Sequence, residues 1–97
     1  MITAQDLIDL MPIVADVGWK KLNAGQIRDE FGRCPLCALA NAIDKRISYS
    51  QAATMAFVRL GLKDWESSIA VNSIIGAADN ADDPLRQRLM RALGMKK

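Results

Sequence analysis

Apolar residues recur every three or four positions through most of this 97-residue chain, which is the spacing of one face of an α-helix. The chain is rich in alanine and aliphatic side chains and has only five aromatic residues. Alanine is a strong helix former and is depleted in strands. The sequence therefore predicts an all-α fold, a compact bundle of four to five helices that forms one domain over residues 1–97.

Local signals place the ends of these helices. Thr3, with Asp6 three residues later, fits a capping box at the start of the first helix, and Pro12 predicts a kink or break before Gly18. Asp83 followed by Pro84 indicates another helix start, and Gly94 its end. The other helices are predicted at 35–46, from 50 to just before 61, and at 65–78. In the helix at 65–78, Val71, Ile74, Ile75 and Ala78 form one predicted apolar stripe.

Residues 19–33 interrupt the helical pattern with glycines and basic side chains. One interpretation is a β-hairpin in which 19–22 pairs with 26–28 across a three-residue loop, where Gly25 supplies a positive φ. The other is a short helix capped by Asn23. An isolated two-stranded hairpin is marginal in water, so a hairpin here must pack against the helices.

The composition excludes several classes of function. Without histidine, the chain has no Ser-His-Asp triad, no Cys-His dyad and no His-ligated metal. No glycine-rich phosphate loop is present. The N-terminus lacks the features of a signal peptide, and no apolar run approaches the roughly 18–20 residues of a membrane span. We expect a cytoplasmic, non-enzymatic protein without a membrane partner and with reduced cysteines.

Cys34-Pro35-Leu36-Cys37 is the most specific local motif, a C-x-x-C at a predicted helix start. The positive end of the helix dipole and the neighbouring Arg33 are expected to lower the pKa of a thiol placed there. The motif resembles the redox site of the thioredoxin and glutaredoxin superfamily over these four residues. Because no βαβ pattern flanks it, the resemblance carries neither fold nor function over to this chain.

Two other interpretations of Cys34 and Cys37 stay open. Two thiolates supply half of a tetrahedral zinc site, so a complete site requires a homodimer that shares the metal. Asn41 and Asp44 lie on the same flank of the helix and could complete a mixed site. Alternatively, both cysteines are structural and pack as small apolar residues.

Basic and aromatic side chains supply the candidate partner-binding surface. Arg88 and Arg91 lie one turn apart on the exposed face of the last helix, where they could meet an acidic partner or phosphates. A net charge of +2 and a pI near 8.7 disfavour nucleic acid. Weak nucleic-acid binding through this helix is kept as the third alternative.

The leading prediction is a protein-interaction or regulatory domain whose partner is a protein, including a second copy of the chain. The candidate partner-binding residues are Trp19, Lys20, Lys21, Arg28, Arg88 and Arg91.

Overall fold

The computed structural model describes residues 3–43 and 69–95. This part of the chain is mostly helical with one two-stranded hairpin, which confirms the helical class and agrees with a small helix bundle. The helix predicted from 50 to just before 61, the predicted end of the helix at 35–46 and the predicted start of the helix at 65–78 lie outside the described residues. In chain order the elements are α1 (Ala4–Leu10), a 3₁₀ helix (Met11–Val17), β1 (Lys20–Lys21), β2 (Ile27–Arg28), α2 (Pro35–Ile43), α3 (Ile69–Asp79) and α4 (Arg86–Ala92).

The first helix begins and breaks where the sequence predicts. The Asp6 backbone N–H donates to Thr3 Oγ1 at 3.2 Å, and the Thr3 N–H donates to Asp6 Oδ2 at 2.9 Å, which completes the capping box. Pro12 cannot donate a backbone hydrogen bond and clashes with the preceding turn of an α-helix. The chain accordingly continues as a 3₁₀ helix, which ends at Gly18 with φ of 88°.

Residues 20–28 form the hairpin, not the short helix. Lys20 pairs with Arg28 and Lys21 with Ile27 in antiparallel register. The loop closes through a hydrogen bond from the Gly25 N–H to the Leu22 carbonyl at 2.7 Å, with Gly25 at φ of 79°. Ile27 is fully buried, so the hairpin packs against the helices as its marginal intrinsic stability requires.

The core lies around α3, which packs against α1, α2, α4 and β2. Of the predicted apolar stripe, Val71, Ile74 and Ala78 are buried, whereas 38% of Ile75 is exposed. The buried face of α3 passes through Ala77 instead, because that residue continues the helical spacing set by Ala70 and Ile74. Among the described residues, the largest fully buried apolar side chains are Leu7, Met11, Ile27, Pro35, Leu36, Leu39, Val71, Ile74, Leu89 and Leu93.

The last helix starts two residues later than the sequence predicts. The prediction of an Asp83 helix cap is wrong, because the N-cap is Leu85 and no side chain caps the helix. Asp83 Oδ1 instead accepts a hydrogen bond from the Leu85 N–H at 2.9 Å in the turn before the helix. Pro84 and Leu85 form a turn, and regular α-helix begins at Arg86. None of the helices within 3–43 and 69–95 has the length and apolarity needed to span a membrane.

Candidate functional site

A tight turn around Asp29 connects the hairpin to α2 and so positions the first cysteine. The Asp29 carboxylate is buried and accepts hydrogen bonds from the N–H groups of Phe31 at 2.9 Å and Arg33 at 2.8 Å. It also accepts a hydrogen bond from Nε of Arg33 at 2.8 Å. Gly32 completes the turn at φ of 81°. These bonds hold the backbone that leads directly into Cys34.

The two cysteines of the motif come together at the start of α2. The Sγ atoms of Cys34 and Cys37 lie 2.9 Å apart, and both residues are free thiols that are half-buried. The Cys34 carbonyl accepts the N–H groups of Cys37 and Ala38, each at 3.1 Å, which is the hydrogen bonding of a first helical turn. The helix therefore places both sulfurs on one side of a single turn.

The electrostatics at Cys34 differ from the sequence expectation. Burial raises the pKa of the Cys34 thiol above its ordinary value of 9.0. The Leu36 N–H and the positive charge of Arg28 act in the opposite direction, but desolvation is the larger effect. Arg33, which was expected to act on this thiol, pairs with Asp29 instead. The expectation of a lowered pKa at Cys34 is thus wrong. Burial destabilises the thiolate by removing its hydration, and this effect exceeds the stabilisation that the helix N-terminus provides.

A metal site at this position stays a prediction. Within the described ranges, no group of three or more cysteine, aspartate or glutamate side chains is arranged to hold a metal ion. Asn41 is half-buried on α2, and Asp44 lies outside the described residues. Zinc shared between two copies of Cys34 and Cys37 would need ligands from a second chain.

Four of the candidate partner-binding residues lie in or next to the hairpin. Lys20 and Lys21 are exposed on the hairpin. Trp19 is half-buried, and its Nε1–H donates to the Val14 carbonyl at 2.8 Å. Arg28 forms an ion pair with Asp79 at 2.7 Å, which joins the hairpin to the end of α3. Trp19 and Arg28 therefore both make contacts that stabilise the fold.

Arg88 and Arg91 remain together, as the sequence predicts, on the exposed side of α4. They line an open groove of about 490 Å³ between α1 and α4. Nη1 of Arg88 donates to Oε1 of Gln5 at 3.4 Å, and Nε2 of Gln5 donates to Asp9 at 2.8 Å. Neither arginine forms an ion pair with another of the described residues. The other residues that line the groove are Ile8, Pro12 and Ala92.

Two polar residues with structural roles were not identified from the sequence. Arg86 is buried and donates to the carbonyl groups of Ala77 and Ala78, at 3.3 and 3.2 Å, and of Gly25. No local pattern indicates those bonds, because Gly25 is distant in the chain. Asp29 did carry a local signal, since aspartate three residues before Gly32 is typical of a turn.

No protein-family model, curated protein or solved structure matches this chain. The candidate sites therefore rest on the chain's own geometry and chemistry.

Proposed function

We propose that the protein is a non-enzymatic binding domain that recognises an acidic segment of a protein partner in the groove between α1 and α4. The observation that carries the proposal is the position of Arg88 and Arg91, both exposed and both lining this groove. A guanidinium group presents a planar set of donors that matches a carboxylate in a two-bond arrangement. Two such groups one helical turn apart suit two carboxylates on one short peptide segment.

The apolar part of the groove favours a peptide ligand rather than a simple anion. Pro12 and Ala92 line the groove beside the polar side chains and offer apolar contact to a side chain placed between two acidic residues. Such contact adds affinity by removing apolar surface from water. The preferred segment thus combines acidic residues with an aliphatic one.

Asp9 on the opposite wall supports a protein partner over nucleic acid. Its carboxylate lines the same groove and is exposed. A continuous line of phosphates would bring negative charge against it, whereas a peptide can present a neutral or basic residue at that point. The modest net charge of +2 agrees with this preference.

The lining residues favour binding over catalysis. The described residues that line this groove supply two guanidinium groups, one amide and one carboxylate, with no hydroxyl, thiol or imidazole among them. These side chains can hold and orient a peptide, but they include neither a nucleophile nor a paired acid and base.

The test uses a fluorescent synthetic peptide in which a leucine lies between two glutamates, and the same peptide with glutamines as its reference. Fluorescence anisotropy should detect weak binding of the glutamate peptide that falls as salt is added, because exposed charges are screened. The double variant R88E/R91E should bind at least about tenfold more weakly, corresponding to about 1.4 kcal/mol.

The matched control is K20E/K21E, which makes the same change in charge on the exposed hairpin strand. It should retain most of the affinity if the groove is the binding site. Equal losses in the two double variants would mean that overall charge, and not the groove, attracts the peptide. Tighter binding of a single-stranded oligonucleotide than of the peptide would overturn the proposal in favour of nucleic acid.

A further inference from the structure

The cysteine pair lies at the start of α2 and lines none of the groove used in the proposed function. The two Sγ atoms are 2.9 Å apart, and both residues are partly open to solvent. Cys34 also packs against the hydrophobic core, but packing alone does not require the two sulfurs to face each other. The geometry and partial exposure of the pair therefore point to a reaction in which both sulfurs take part.

The geometry is close to that of a disulfide. A disulfide requires its two sulfurs at about 2.0 Å, so the sulfurs must approach each other by about 0.9 Å. The backbone is already held by the hydrogen bonds from Cys37 and Ala38 to the Cys34 carbonyl. Closing the bond thus needs side-chain adjustment within one formed helical turn.

We propose that Cys34 and Cys37 form a reversible redox site that is oxidised to an intramolecular disulfide by low-molecular-weight disulfides of the glutathione class. In the first step, the Cys37 thiolate attacks one sulfur of the oxidant, whose S–S bond breaks and releases one thiolate. In the second step, Cys34 loses its proton to water and attacks the Cys37 sulfur, which releases the second thiolate. The two protein thiols lose two electrons and two protons, and the oxidant is reduced to two thiols.

The burial of Cys34 and the direction of its contact with Cys37, in which Cys34 Sγ donates to Cys37 Sγ, set the order of these steps. Thiolates, not thiols, attack disulfides. Burial keeps Cys34 protonated to a higher pH than an ordinary thiol, so Cys34 is poorly suited to the first attack. Once Cys37 carries the mixed disulfide, the neighbouring Cys34 sulfur needs only a small fraction of thiolate, because the reaction is then intramolecular.

The test uses the purified full-length chain equilibrated with defined ratios of oxidised to reduced glutathione. After acid quenching and alkylation, intact-mass spectrometry counts the free thiols, and the count is simple because the chain has two cysteines. We expect the free thiols to fall from two to none in a monomer without a bound glutathione, and to return when reduced glutathione is added. A persistent glutathione adduct, a disulfide-linked dimer or two free thiols at equilibrium would overturn the proposal.

The matched variants C34S and C37S identify the roles of the two sulfurs. Each retains one thiol and should stop at a single glutathione adduct, and the adduct should form faster on C34S, which retains Cys37. Circular dichroism establishes whether each variant is folded. If a variant does not fold, the thiol count of the wild-type chain still tests the proposal. Zinc at half an equivalent per chain, together with thiols that resist oxidation, would assign the pair to a shared metal instead. None of these outcomes depends on peptide binding in the groove.

Discussion

The guanidinium of Arg86 donates a hydrogen bond to the carbonyl of Gly25, which lies 61 residues earlier in the chain. The same group donates to the carbonyls of Ala77 and Ala78 at the end of α3. Carbonyl groups at a helix C-terminus carry partial negative charge, so a cation is favourable there. One buried side chain thus joins the hairpin turn, α3 and α4.

Replacing Arg86 with methionine should lower the free energy of unfolding by about 2–4 kcal/mol, because it leaves buried carbonyls without donors. Urea denaturation followed by circular dichroism measures the change. The matched control is R91M, which alters an exposed arginine of the same helix and should change stability by no more than about 0.5 kcal/mol. Similar losses in both variants would show that the hydrogen bonds of Arg86 contribute little.

The contrast between Arg86 and Thr3 shows what could be predicted from the sequence. The capping box of Thr3, the break at Pro12 and the positive φ of Gly25 depend on a few neighbouring residues, and the structure has all three. The burial of Arg86 depends on carbonyl groups that the tertiary fold brings together. Such contacts cannot be predicted from the neighbouring residues in the sequence.

The same limit applies to the candidate site. The C-x-x-C spacing at a helix start singled out Cys34 and Cys37 as a candidate redox or metal pair. The direction of the pKa shift at Cys34 was predicted wrongly, since it depends on how deeply the folded chain buries that sulfur. The grouping of Arg88 with Arg91 follows from helical spacing, whereas the groove also requires α1 on the opposite wall.

Replacing Asp29 with alanine should destabilise the protein by about 1–3 kcal/mol, because the N–H groups of Phe31 and Arg33 lose their acceptor in a buried turn. The adjacent Glu30 is exposed, so E30A is a matched control that also removes one carboxylate. Thermal unfolding compares the two variants. Equal midpoints for D29A and E30A would contradict the role assigned to the turn.

Replacing Gly25 with alanine should cost about 1–2 kcal/mol, because φ of 79° is unfavourable for a residue with a Cβ atom. Space is not the cause, since an added Cβ would lie 3.8 Å from the Ala81 Cβ, at ordinary contact distance. G25N should be less destabilising, because asparagine tolerates left-handed backbone better than alanine. Chemical denaturation distinguishes the two, and a loss in G25N equal to that in G25A would contradict the backbone explanation.

The raised pKa of Cys34 predicts a loss of stability at alkaline pH in the reduced protein. The folded state holds the thiol proton more tightly than the unfolded state, whose thiol titrates near the ordinary value of 9.0. The contribution to stability is therefore complete below the unfolded pKa and is lost as the pH rises through the folded pKa. Other groups also titrate in this range, so the quantity to measure is the difference between wild type and C34S.

Urea unfolding with reductant, at a series of pH values from neutral to well above 9.0, should show the wild-type free energy of unfolding falling more steeply than that of C34S. Parallel curves would mean that the folded and unfolded states bind the Cys34 proton equally well.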